Sequence, residues 1–123
     1  MDRDALAAEL NALRRRVNGV TDTLVAGVDG LLIVADTEDR IDPDSVSALA
    51  AAHLGLAHTT AATIGQGAFR QAVVRSSGGY LAVYSVDRLA LMVVLGDEGL
   101  DIGRLHHASL PTIERIGSIL TAC

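Results

Sequence analysis

Residues 20–35, Val-Thr-Asp-Thr-Leu-Val-Ala-Gly-Val-Asp-Gly-Leu-Leu-Ile-Val-Ala, decide the fold. Two β-prone runs flank Asp29-Gly30, and Asp-Gly in that setting signals a hairpin, because a type I′ turn needs positive φ at both central residues. The first strand is expected over 20–28 and the second over Leu31–Ala35. The second run is apolar without interruption, which predicts burial on both faces and a layer of structure on either side of the sheet.

Working outward, residues 2–17 place Leu6, Leu10, Leu13 and Val17 at steps of four, three and four, one apolar face of a helix that Asn18-Gly19 stops. Downstream of the hairpin, Asp42 is the expected N-cap of a second helix, with Pro43 in its first turn and Asp44 near the positive end of the dipole. That helix runs to Ile64 and ends at Gly65-Gln66-Gly67. Its two leucines, Leu54 and Leu56, stand roughly 200° apart around the axis and cannot share a face. Leu54 aligns with Ala50, Ala57 and Ala61, whereas Leu56 aligns with Leu49, Ala52 and Thr60. The helix is therefore apolar on more than the stripe a sheet covers, and the surplus side implies a second partner. Ala51, Ala52, Gly55 and Ala62 permit close helix–helix approach.

Three further strands, Phe69–Ser76, Tyr80–Val86 and Leu89–Leu95, are joined by Ser77-Gly78-Gly79 and by Asp87-Arg88, connections too short for anything but an antiparallel meander. The Phe69–Ser76 strand carries no proline and invites pairing if it lies at an edge. Asp101 caps a last helix whose inward face is Ile102, Leu105, Ser109, Ile113, Ile116 and Leu120, with Pro111 expected to kink or restart it. The order is αββαβββα, an α+β chain, and its 123 residues fit one domain, 1–123.

Half of the residues are apolar yet only Phe69, Tyr80 and Tyr84 are aromatic, so the core is built from Leu, Val, Ile and Ala. Acidic residues outnumber basic ones 15 to 10, for a net charge of −5, and every basic residue is Arg. This balance argues against a nucleic-acid surface. Arg14-Arg15-Arg16 reads as a solvated helix end whose cations suit the dipole. No apolar run is long enough to span a bilayer, the first ten residues do not read as a signal peptide, and the single cysteine, Cys123, gives no internal disulfide; a cytoplasmic protein without membrane insertion is expected.

Catalytic motifs are missing. Without lysine a phosphate-cradling Gly-rich loop ending in Lys-Ser or Lys-Thr cannot exist. Gly65-Gln66-Gly67 follows a helix instead of a strand and reads as punctuation. His53/His58 and His106/His107 are spaced by five and one, where two ligands on one helix face need three or four, so no metal is expected. No serine sits in a nucleophile elbow, and the acids Asp36/Asp39 and Asp97/Glu98 fall in or beside loops. The chain is expected to be no enzyme and to need no cofactor.

The order of elements, with Leu24-Val25-Ala26-Gly27-Val28-Asp29-Gly30-Leu31-Leu32-Ile33, Gly78-Gly79-Tyr80-Leu81-Ala82-Val83, Leu89–Leu95 and the loop Gly96–Gly103, resembles the Roadblock/LC7 family over nearly the whole chain. The Ala-rich second helix followed by Gly-x-Gly and Arg70-Gln71-Ala72-Val73-Val74 resembles in particular actinobacterial Roadblock proteins encoded in conservons beside a sensor kinase and a small GTPase. The resemblance implies a five-stranded antiparallel sheet with helix two on one face and helices one and three on the other, and a homodimer joined through strand three and helix two. The interface so predicted comprises Ala48, Ala51, Ala52, Gly55, Leu56, Thr59, Ala62, Phe69, Gln71, Val73 and Arg75. It further implies a non-enzymatic regulator or adaptor of a small Ras-like GTPase in bacterial signalling, in company with a sensor kinase or other conservon-type proteins, with Arg70 and Arg75 as arginine-finger candidates. The competing expectation is a small-molecule-sensing or scaffolding module without a GTPase partner, its pocket between helix and sheet.

Overall fold

The computed structural model describes residues 1–38 and 40–122. Asp39 and Cys123 lie outside the described residues, and with them the expectations that concern the Asp36/Asp39 acid pair and the terminal cysteine.

Each helix begins where its capping residue dictates. Asp2 accepts a hydrogen bond from Ala5 N–H at 2.9 Å and starts α1 (Arg3–Arg16). Asp42 accepts from Asp44 N–H at 3.2 Å and starts α2 (Pro43–Thr63), with proline in the first turn as expected. Asp101 accepts from Arg104 N–H at 3.1 Å and starts α3 (Ile102–Thr121). The strands are β1 (Val20–Gly27), β2 (Leu32–Asp36), β3 (Gln71–Ser76), β4 (Gly79–Val86) and β5 (Ala90–Asp97). They form one five-stranded antiparallel sheet, as the family resemblance implied, and the order of its strands is β2-β1-β5-β4-β3.

Successive side chains of a strand point to opposite faces, and the two sides of the sheet sort accordingly. Val25, Ala82, Tyr84, Met92 and Val94 face a layer made by Leu6, Leu10, Leu13 of α1 and Leu105, Ile116 of α3. Leu24, Ala26, Val83, Leu91 and Val93 face the other way, against Ala50 and, at the margin, Leu54 of α2. The two-helix side therefore carries large aliphatics, whereas one thin helix closes the opposite side. Ion pairs fasten the margins: Arg14 of α1 reaches Asp36 at 3.3 Å and Glu38 at 3.0 Å, and Arg115 of α3 reaches Glu9 of α1 at 2.6 Å.

Four details differ from the sequence reading. The β1–β2 hairpin does not close through a type I′ turn at Asp29-Gly30. Asp29 keeps a negative φ and uses Oδ1 to accept Leu31 N–H at 3.1 Å, while Gly30 alone is left-handed at φ 86° and donates to Gly27 O at 3.0 Å. This is the longer loop in which a turn is followed by a glycine, and it shifts the register after Val25. Positive φ at both central residues occurs instead at Asp87 and Arg88, 48° and 61°, where Leu89 N–H donates to Val86 O.

Strand β2 is half-buried along its whole length instead of covered on both faces, because it is an edge strand. Strand β3 begins at Gln71, with Phe69 in the connection before it. Pro111 neither breaks nor restarts α3, which runs unbroken from Ile102 to Thr121. Its ring lies on the exposed side, where the carbonyl it deprives of a donor is open to water.

One polar pair ties α3 to the sheet. Tyr84, 2% exposed, places Oη 2.6 Å from His106 Nδ1, with the two rings edge to face. Burial pushes the Tyr84 phenol from 10.0 up to about 12, so it stays protonated at neutral pH while it shares a hydrogen bond with the imidazole. Its pKa is higher folded than unfolded, so its contribution to stability is complete below pH 10 and is lost as pH rises from 10.0 to about 12. Urea denaturation across that window should show the loss in the native chain, and Tyr84→Phe should lack that component of the slope.

Candidate functional site

Strand β3 pairs with β4 alone and leaves its other side open. In an antiparallel ladder, facing residues alternate between pairs that exchange backbone hydrogen bonds and pairs whose N–H and C=O groups point away. Ser85 N–H bonds Arg70 O at 2.9 Å, which makes Arg70 facing Ser85 a bonded pair. Counting along the register Gln71↔Tyr84, Ala72↔Val83, Val73↔Ala82, Val74↔Leu81 and Arg75↔Tyr80, it is Gln71, Val73 and Arg75 whose backbone donors and acceptors face the open edge. These are the three β3 residues in the interface predicted from sequence. The edge lacks proline and bulges, the usual devices that prevent further pairing.

Beside this edge lies the outer side of α2. Its inward stripe is Ser47, Ala50 and Leu54, while Leu49, Leu56 and Ile64 stand 61%, 70% and 59% exposed. His53 and Thr60 fall between them at helical spacing, three before and four after Leu56. The hydroxyls of Thr59, Thr60 and Thr63 each donate to a carbonyl one turn back, at 3.1, 2.9 and 2.7 Å, so these threonines need no outside acceptor and offer their methyls. Between this part of α2 and β3 runs a groove of 420 Å³ walled by Leu56, Thr60, Ile64, Phe69, Gln71 and Val73 among others.

The structure thus divides the predicted interface. Leu56, Phe69, Gln71 and Val73 come together around the groove, with Arg75 farther along the same edge. Ala48 and Ala51 sit on a different flank, where a side chain at Gly30 would meet them at 3.4 and 3.6 Å. Ala52, Gly55, Thr59 and Ala62 are exposed between the two flanks or toward the latter. His53, Thr60, Ile64 and Val74 also wall the groove and were not singled out. For His53, Thr60 and Ile64 the signal was the spacing from Leu56 along α2, whereas Val74 comes from β3.

The remaining candidates have local roles. Gly65 is left-handed at φ 73°, and the bonds Gln66 N–H to Ala61 O at 2.9 Å and Gly65 N–H to Ala62 O at 3.2 Å close α2 as a Schellman motif. Arg75 lies over the Tyr80 ring, 5.6 Å from its centre. Arg70 is exposed at the entry to β3. Among the described residues, no three His, Cys, Asp or Glu side chains gather into a metal-binding group, and no helix is long and apolar enough to cross a membrane.

The described residues thus form a three-helix, five-strand α/β sandwich with an exposed sheet edge beside an apolar face of α2. The Roadblock/LC7 domain model matches residues 6–96, and the chain belongs to that family. An uncharacterized protein of Methanocaldococcus jannaschii, MJ1340, is 29% identical over 113 residues, spanning 92% of this chain and 95% of that protein. Among solved structures, a Roadblock/LC7 domain from Streptomyces avermitilis superimposes with a TM-score of 0.88 at 22% identity, covering 94% of this chain and 98% of its own. MglB from Myxococcus xanthus superimposes with a TM-score of 0.89 at 18% identity, covering 98% of each chain. At these identities the superpositions speak for the fold.

The glycines of α2 make a direct check on its backbone. A Cβ at Gly55 meets nothing within 4 Å in a helix interior, so Gly55→Ala should stabilise the dilute domain by about 0.5–1 kcal/mol. A Cβ at Gly65 also meets nothing, but the left-handed φ remains, so Gly65→Ala should cost about 1 kcal/mol. Urea midpoints at low protein concentration measure both.

Proposed function

We propose that this chain is a non-enzymatic homodimeric regulator or adaptor of a small Ras-like GTPase in a cytoplasmic bacterial signalling complex. One observation carries the first half of this reading: the open donors and acceptors of Gln71, Val73 and Arg75 run beside the exposed Leu49, Leu56 and Ile64 of α2. A second copy meets both needs at once. Its own β3 satisfies the edge and continues the sheet, and its own α2 removes the leucine stripe from water, at about 25 cal/mol per Å² of apolar surface. The small residues beside Leu56 favour close approach of the two helices.

The GTPase half rests on membership of the Roadblock/LC7 family, whose members bind or regulate such GTPases or act as adaptors. Paired second helices and the neighbouring loops make a platform of fixed shape. A partner docked there is regulated by a shift in the population of its own switch loops, which requires differential affinity for its two nucleotide states and no side chain donated to the reaction. Arg70 and Arg75 are the exposed cations beside that platform. A sensor kinase or other conservon-type protein is a further partner consistent with the subfamily resemblance.

Leu56→Asp separates the parts of this reading. Leu56 is 70% exposed, so the substitution should leave the stability of the dilute domain within about 0.5 kcal/mol, while sedimentation equilibrium should change from dimer to monomer. Pull-down of the cognate GTPase loaded with GDP or with a non-hydrolysable GTP analogue should show binding that depends on the nucleotide, and Leu56→Asp should weaken it. Absence of binding in both nucleotide states would end the GTPase reading, and a native chain that stays monomeric at high concentration would end the dimer.

A further inference from the structure

On the other flank of α2 from the leucine stripe lies an open cavity of 640 Å³. This is within the ordinary range for sites that take a small organic molecule, about 300–1,000 Å³. Its walls are apolar where it meets the fold: Leu54 and Ala62 from α2, Ala68 and Phe69 from the connection to β3, and Val28 from the β1–β2 loop. The polar groups in the wall are His58, Ser85 and Arg88, and no carboxylate contributes to it. In a chain with a net charge of −5, a cavity with a guanidinium and no acid in its lining is a selective environment.

Arg88 is the pivotal group. It is one of the two described non-glycine residues with positive φ, at 61°, a conformation that costs free energy for a side chain with a Cβ. Among the described residues it makes no ion pair, as is true of most of the arginines, and it is the one that lines this cavity. The turn thus places an exposed, always-charged fork in the wall of an open cavity that is apolar in part, the arrangement that a carboxylate with an apolar body satisfies: the body displaces water from Leu54 and Phe69, and the carboxylate takes charge-assisted hydrogen bonds from Arg88. His58 and Ser85 offer further polar contacts.

We propose that this cavity is a binding site for a small organic carboxylate with an apolar chain or ring, a function beyond the self-association and GTPase docking proposed above. The site lies at Leu54, His58 and Ala62 on α2, away from Leu49 and Leu56, and it adjoins the groove beside β3 at Phe69, which walls both.

The test is a titration of the full chain, followed by backbone amide NMR shifts, with octanoate and, in parallel, octanol and octylammonium as probes. Octanoate should shift amides around Val28, Leu54, Ala62, Ala68 and Ser85, with octanol weaker and octylammonium weaker still. Arg88→Gly removes the guanidinium and suits the positive φ, so the fold should be retained, and octanoate affinity should fall about tenfold or more while octanol affinity is unchanged. The proposal is overturned if octanoate at low millimolar concentration leaves these amides unmoved, if octanoate binds no better than octanol, if Arg88→Gly binds octanoate as the native chain does, or if the shifts centre on Leu56, Ile64 and Val73 instead.

Discussion

The sheet is apolar on both faces, and everything else in the molecule answers to that. Leu24, Ala26, Val83, Leu91 and Val93 on one side and Val25, Tyr84, Met92 and Val94 on the other cannot all be hidden by one layer. Two helices close the first side with leucine and isoleucine, each buried side chain contributing about 1.5–3 kcal/mol. On the second side a single Ala-rich helix crosses the sheet. Its thin inward stripe lets it lie close to the strands, and one helix is narrower than five strands. That difference leaves the β3 edge uncovered, exposes the leucine stripe and opens the cavity beneath the flank of α2.

The same constraint explains why the surface features are where they are. The β2 edge is closed off by the ion pairs of Arg14 with Asp36 and Glu38 and by α1 above it. The β3 edge has no such cover, and its neighbour on the same side is the most exposed leucine of α2. A fold that protects one edge with charge and leaves the other with valines beside leucines is asymmetric in a way a lone domain does not require. The second copy proposed above would supply what is missing, and most of the cavity lies on the opposite flank.

Much of this is legible in the residues. Capping aspartates, the glycines after α1 and α2, and the short links of the meander fix where elements begin and end to within about two residues, because each is a local hydrogen-bonding or dihedral requirement. The surplus face of α2 follows from the spacing of Leu54 and Leu56 alone. What was not legible depends on contacts made far along the chain. The continuous apolar run Leu31–Ala35 looks like an interior strand, and its place at the edge is set by the order of strands. The choice between two turn types at Asp29-Gly30 turned on the Asp29 side chain bonding Leu31 N–H. At the candidate site, Ala48 and Ala51 lie beside Gly30, whereas the groove beside β3 joins α2 residues around Leu56 to Phe69 and the β3 strand, a juxtaposition of segments far apart in the chain. The cavity at Arg88 is assembled from α2, two turns and the connection to β3, and no contiguous stretch announces it.

The account stands on the open β3 edge being the place where a second copy adds, and amide hydrogen exchange reads that edge directly. In dilute, monomeric protein the amides of Gln71, Val73 and Arg75 should exchange rapidly while those of Ala72 and Val74, bonded to β4, are protected. As the concentration rises, the first three should become protected together, in step with the growth of the dimer in sedimentation. If a dimer forms and those three amides still exchange as fast as in the monomer, the sheet is not continued through β3 and the account is wrong.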